Sequence, residues 1–172
     1  SFIRGSLSCL KRAIESVGLR SVLCYEVTDR NGPEGRDAGA EENVAFQHHD
    51  QSALTRGMIG AHATFTLSDE SLSRLAQAVR DTGSSVHVHV AEDLADVADA
   101  RERHGSSVTG RLDRHGLIGA RTLLAHCVHL SPDEVQDAHT KGAWIAHNPR
   151  SNMNNTVGYA PVTAMRRAAP RT

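Results

Sequence analysis

The chain has 172 residues, a formal net charge of −1 and a pI near 6.8, so no basic field points to nucleic acid or an anionic membrane. Aromatic residues make up 3% of it, too few for a platform on which single-stranded bases could stack. Cys9, Cys24 and Cys127 are an odd number at unrelated spacings with no CxxC, and no apolar run approaches a membrane span, which together suggest reduced thiols in a cytoplasmic protein.

Taken in order, residues 6–17 read as an amphipathic helix with Leu7, Leu10, Ile14 and Val17 on one stripe and Gly18 as its stop. Residues 20–27 (RSVLCYEV) read as a buried strand, 28–39 as a polar Gly/Pro-rich loop, and 40–54 as a weakly patterned helix. A second strand covers 58–63 (MIGAHA). Ser68 then caps a helix whose stripe is Leu72, Leu75, Ala76 and Val79, closed by Gly83. The third strand, 86–91, is followed by helical pieces at 93–103 and 108–115, split by Gly105. The fourth strand is 122–127 (TLLAHC). Ser131-Pro132-Asp133-Glu134 is a capping box with proline at the first helical position, and Gly142 closes that helix. A fifth strand at 143–147 leads into an Asn-rich loop over 148–159.

Strand and helix thus alternate five times, the signature of a parallel sheet covered by helices. Four of the five strands finish on histidine: His62, His89, His126 and His147. Chemistry in βα folds gathers at the C-terminal ends of strands. A (β/α)₈ barrel, whose strand ends share one mouth, suits the four histidines better than an open sheet. The richest stretch is Val86-His87-Val88-His89-Val90-Ala91-Glu92-Asp93. Residues two apart on a strand face one side, so His87 and His89 share a space, with Glu92 just beyond the strand's end. A neutral imidazole beside a carboxylate is what a metal-activated water needs, one group to hold the metal and the other to move protons.

HVHVAED, TLLAHC, GAHATFTLSDE, CYEVTDRNGPEG and HNPRSNMNN, in this order of argument and spread over residues 1–165, resemble the amidohydrolase superfamily, and within it the aminohydrolase and chlorohydrolase branch. CYEVTDRNGPEG and HNPRSNMNNTVGYAPV are most similar to the SsnA-type aminohydrolases of that branch. The resemblance implies an α/β fold: a partial (β/α)₈ TIM-type barrel, with this chain supplying about strands 3–7. It implies one divalent metal, zinc or Fe(II), with His89 as a ligand. Glu92 and His126 take the catalytic positions, and His62, His147 and Asn152 the substrate side. The implied reaction is hydrolysis of a non-peptide C–N bond in a small heterocyclic amidine or amine. A chlorohydrolase acting on a carbon–chlorine bond, or an inactive zinc-binding relic, are the alternatives. Relatives with two metals use a carboxylated lysine on strand 4; this strand ends on His62, and Lys11 and Lys141 lie elsewhere, which favours one metal.

The strand-1 HxH pair and the strand-8 aspartate of the family have no counterpart here. Residues 166–172 depart from its pattern, as a truncation or frameshift would. The expectation is a central fragment, inactive alone and prone to self-association through open strand edges. Neither nucleic acid nor membrane is expected as a partner. Cys127 follows His126 and is turned away from it by strand alternation, so a nucleophilic role is not expected.

Overall fold

A computed structural model describes residues 2–168. Of the divergent tail, residues up to 168 are therefore described and 169–172 lie outside. The elements are α1 (Ser6–Ser16), β1 (Ser21–Leu23), α2 (Gly32–His49), β2 (Thr55–Gly57), β3 (Ile59–Ala63), α3 (Asp69–Thr82), β4 (Val86–Val90), α4 (Leu94–His104), α5 (Val108–Arg114), β5 (Leu123–His126), α6 (Pro132–Thr140), β6 (Trp144–Ala146), α7 (Pro149–Asn154) and α8 (Val162–Ala168). β1 and β2 pair in parallel, and β3-β4-β5-β6 form a four-stranded sheet in chain order. Sequential order with a helix between neighbours is the βα pattern read from the sequence.

The chain divides into two compact units, one of residues 1–62 and 66–87, the other of 63–65 and 88–172. In the first, α1 begins at Gly5, which offers no side-chain cap. Glu42 of α2 does the work instead, accepting from Gly5 N at 2.8 Å and Leu7 N at 3.3 Å. A carboxylate there meets both the orphan N–H groups and the positive end of the helix dipole. Asn43, wholly buried, brackets Tyr25 by accepting from its N–H at 2.7 Å and donating to its carbonyl at 2.9 Å. Beyond β1 the backbone rejoins the sheet at a Val27–Ala61 bridge. Gly60 sits so close there that a Cβ would lie 2.1 Å from the Tyr25 carbonyl oxygen.

The structure departs from the sequence expectation at two places in this unit. Residues 32–39 are helix, because α2 starts at Gly32 with Pro33 in its first turn, where a missing N–H costs nothing. The glycines that read as breakers serve packing: a Cβ at Gly39 would meet the Tyr25 ring at 2.4 Å. The second departure is β2, three residues that pair with β1 in the register Ser21–Thr55 to Leu23–Gly57.

In the second unit β5 and β6 run parallel, Leu123 opposite Trp144 and Ala125 opposite Ala146. Its helices start where the sequence places them: Asp93 accepts from Ala95 N, Ser107 from Gly110 N, and Ser131 forms a reciprocal capping box with Glu134. Under the strand ends lies Asp96, 1% exposed, which accepts from the Thr64 hydroxyl, from Phe65 N at 3.1 Å and from Ala91 N at 2.8 Å. Buried Arg111 adds a bond from Nη1 to the Thr64 carbonyl at 2.7 Å. Burial pushes the Asp96 carboxyl above its ordinary range, against the pull of its three donors. No described helix is long and apolar enough to cross a membrane.

Candidate active site

The site is built in the second unit from β4, β5 and the segment after β6. Along β4 the valines Val86, Val88 and Val90 are all buried, while His87 and His89 take the alternate, half-buried positions. Strand alternation therefore sends the valines into the core and both imidazoles to the other face. The strand ends at Ala91, whose φ of 45° lies in the left-handed region and whose N–H is taken by Asp96. That turn carries Glu92.

β5 ends in two consecutive left-handed residues, His126 (φ 72°) and Cys127 (φ 52°). Such backbone is held only where surroundings over-determine it. Here Cys127 N donates to Val90 O at 3.0 Å, His129 N donates to Ala91 O at 3.0 Å, and His126 N donates to Asn148 Oδ1 at 3.3 Å. The His126 side chain is 4% exposed. Its Nε2 lies 2.9 Å from His89 Nδ1, and its Nδ1 lies 2.8 Å from Asn152 Oδ1 and 3.4 Å from Glu92 Oε1. The two rings are 5.1 Å apart, tilted by 32°. Asn155 Nδ2 donates to Glu92 Oε1 at 3.0 Å.

His89, Glu92 and His126 thus form one cluster whose potential ligand atoms lie within 4.8 Å of one another, the one grouping of its kind among the described residues. Nitrogens that share a tetrahedral zinc sit about 3.3 Å apart, given Zn–N distances of about 2.0–2.1 Å. The 2.9 Å between His89 and His126 is near that spacing, and imidazole with carboxylate suits Zn or Fe(II). The donor set therefore fits a divalent ion.

The other expected residues fall differently. His87 stays outside the cluster, with Nδ1 3.5 Å from Cys24 Sγ. His62 lies at the end of β3 in the first unit, with Nε2 3.4 Å from Glu26 Oε1 and Nδ1 2.8 Å from Thr66 Oγ1. It lines a cavity of about 240 Å³ with Phe2, Glu26, Thr28, Arg30 and Asn31. His147 is exposed, one residue past β6, and Asn152 is 2% exposed against His126. Cys127 is fully buried, and burial pushes its thiol far above the ordinary range. Sequence reasoning singled out Asn152 but missed Asn148 and Asn155. The residues read as an Asn-rich loop fold into α7, which brings three asparagines to the cluster. The available signal was the three-residue spacing of Asn152 and Asn155 behind Pro149.

The comparisons agree with this arrangement. The chain is 35% identical over 157 residues to the 5'-deoxyadenosine deaminase of Methanosarcina mazei, covering 90% of itself and 36% of that protein. It is 33% identical over 163 residues to a 5-methylthioadenosine/S-adenosylhomocysteine deaminase of Desulfitobacterium hafniense, covering 94% and 38%. Among solved structures, an adenosine deaminase from Xanthomonas campestris with bound zinc matches with a TM-score of 0.80 at 25% identity, over 92% of this chain and 37% of that one. A guanine deaminase from C. acetobutylicum matches in fold, with a TM-score of 0.82 at 22% identity, over 98% and 43%. The chain therefore spans little more than a third of the length of the curated relatives it matches. The parallel βα architecture is that of part of a TIM-type barrel. The sequence profile of the amidohydrolase family matches residues 4–168, and the chain belongs to that family.

Proposed function

We propose that residues 1–165 form the central part, about strands 3–7, of a (β/α)₈ hydrolase that removes an amine from a small heterocyclic amidine by metal-dependent attack of water. The observation that carries this is the contact of His126 with both His89 and Glu92, at 2.9 Å and 3.4 Å. The deaminase relatives support the same class of reaction.

In this reading His89 holds the metal, zinc for preference. When bound, the ion supplies a water acidified enough to act as a nucleophile at neutral pH. Glu92 delivers a proton to a ring nitrogen and then to the departing amine, a general acid–base role for which its half-exposed position leaves substrate access. His126 orients the attacking oxygen and stabilises the negative charge that develops as the amidine carbon becomes tetrahedral. His62, His147 and Asn152 serve the substrate side. The 172-residue chain by itself is expected to turn over negligibly.

The test is release of ammonia and of chloride from a panel of purines, pterins, triazines and cytosine. It is run on the zinc-loaded protein at the length its gene encodes, beside a Glu92→Gln variant. Ammonia from a panel member, lost in the variant, supports the reading. Chloride without ammonia favours the chlorohydrolase, and neither product from any compound refutes turnover of this class.

A further inference from the structure

Two acceptor oxygens converge on one nitrogen of His126. Asn152 Oδ1 lies 2.8 Å from Nδ1, and Glu92 Oε1 lies 3.4 Å from it. A neutral imidazole has one N–H and one lone pair. A lone pair at Nδ1 would face both oxygens, so Nδ1 carries the hydrogen. The lone pair is then at Nε2, and the 2.9 Å contact there requires the hydrogen on His89 Nδ1. That in turn puts the His89 lone pair on Nε2. One buried amide therefore decides the tautomer of two rings in succession.

We infer that Asn152 is a positioning residue that sets the hydrogen pattern of an Asn152–His126–His89 relay, so that both histidines are Nδ1–H tautomers. Asn152 is suited to this. It is 2% exposed, and its backbone is pinned by N–H donation to the Asn148 carbonyl at 3.0 Å and by acceptance from Val157 N at 3.2 Å. Its Nδ2 has no hydrogen-bond partner. A buried amide N–H left without a partner is destabilising, yet turning the amide over would aim that N–H at the nitrogen the Glu92 carboxylate already obliges to be a donor. The Oδ1 orientation is therefore the one the site keeps. Ligating histidines commonly donate their second ring N–H to a fixed acceptor, which orients the ring toward the metal. In this relay the acceptor is His126 Nε2, itself fixed by Asn152. The inference deepens the proposed function, in that the His89 Nε2 lone pair is the one a metal would take.

The test reads tautomers directly, without turnover. The full chain, with 15N in the histidine rings, is examined by two-bond 1H–15N correlation at a pH where free imidazole is neutral. His89, His126 and, as an outside reference, His87 are assigned by loss of their signals in His→Gln variants. The expected result is Nδ1–H at both His89 and His126. Asn152→Asp keeps the acceptor and should keep both tautomers, whereas Asn152→Leu should convert His126 and His89 together to mixed forms while the amide spectrum stays folded. Nε2–H at either ring in the unaltered chain overturns the inference, and that spectrum decides the matter even if Asn152→Leu does not fold. An unchanged pattern in folded Asn152→Leu also overturns it, assigning the control to Glu92 alone. Zinc is then added. A shift of His89 Nε2 with Nδ1–H retained supports both readings, and loss of the Nδ1 hydrogen overturns the relay by showing ligation through Nδ1. No shift at His89, with the tautomers as expected, leaves the relay standing and removes the proposed metal role.

Discussion

Asn155 donates from Nδ2 to Glu92 Oε1 at 3.0 Å, joining residues 63 positions apart. The same oxygen is 3.4 Å from His126 Nδ1, so the carboxylate is held between an amide and an imidazole. In the proposed reaction Glu92 must keep one oxygen anchored while it moves a proton. Asn155→Ala removes the anchor, and a hydrogen bond to a charged group contributes roughly 1.5–3 kcal/mol. The expected effect in the active protein is a fall in kcat of about tenfold or more with KM little changed, since each 1.36 kcal/mol is a factor of ten. Asn155→Asp should lose more, because it sets two carboxylates against each other. An unchanged kcat in Asn155→Ala would show that Glu92 needs no such anchor.

The turn that carries Glu92 depends on Asp96. Its carboxyl takes the N–H of Ala91, the N–H of Phe65 and the hydroxyl of Thr64, all in a buried setting. Asp96→Ala strands those donors and should cost about 3 kcal/mol or more in urea unfolding. The pH dependence has a definite sign. Burial raises the folded carboxyl above its ordinary value of 3.8, so over the window from there upward the unfolded chain gives up its proton first. Stability from this group is therefore full below that window and falls as pH rises through the folded value. Asp96→Asn lacks this slope, and the advantage of the unaltered chain over it should shrink between acid and neutral pH. An advantage that grows with pH would contradict the assignment of burial as the dominant cause.

The three thiols should separate by reactivity. Cys9 is exposed, whereas burial pushes Cys24 up to about 11 and Cys127 higher still. Only the thiolate is the reactive form. Titration with an aromatic disulfide reagent at neutral pH should show one fast thiol in the native chain and three in denaturant. Rapid modification of Cys127 would mean that the end of β5 opens readily, which its bonds from Cys127 N to Val90 O and from His129 N to Ala91 O argue against.

β4 was legible in sequence because strand alternation is a geometric rule: buried Val86, Val88 and Val90 imply that His87 and His89 share the other face. Alternation does not give depth along the strand, and only the fold separates the two, His87 beside Cys24 and His89 against His126. The capped helix starts at Ser68, Asp93, Ser107 and Ser131 depend on bonds within four residues, so local sequence suffices for them. α7 is the opposite case. Asparagine is a poor helix former, and this six-residue segment is held by tertiary bonds from Asn148 and Asn152 to His126. Its contribution to the site was hidden for that reason. Glycine misled similarly, since Gly39 is small for the sake of the Tyr25 ring and not to end a helix.

Gly60 puts that last distinction to the test. Its absent side chain lets β3 approach the backbone at Tyr25, where a Cβ would sit 2.1 Å from the carbonyl oxygen and 2.9 Å from the Cys24 side chain. The carbonyl cannot swing aside, because it accepts from Asn43 Nδ2, and Val27 N donates to Gly60 O at 3.2 Å just beyond it. Gly83, by contrast, closes α3 with φ 62° and open space around it, so alanine there meets only the backbone penalty of about 1 kcal/mol. Gly60→Ala should therefore lower the thermal midpoint far more than Gly83→Ala, or leave the chain insoluble, although both are the same chemical change. Similar midpoints for the two variants would mean that the strand at Tyr25 and β3 can separate at little cost. In that event the Asn43 bracket and the Val27–Ala61 bridge would not be what holds the first unit's sheet together.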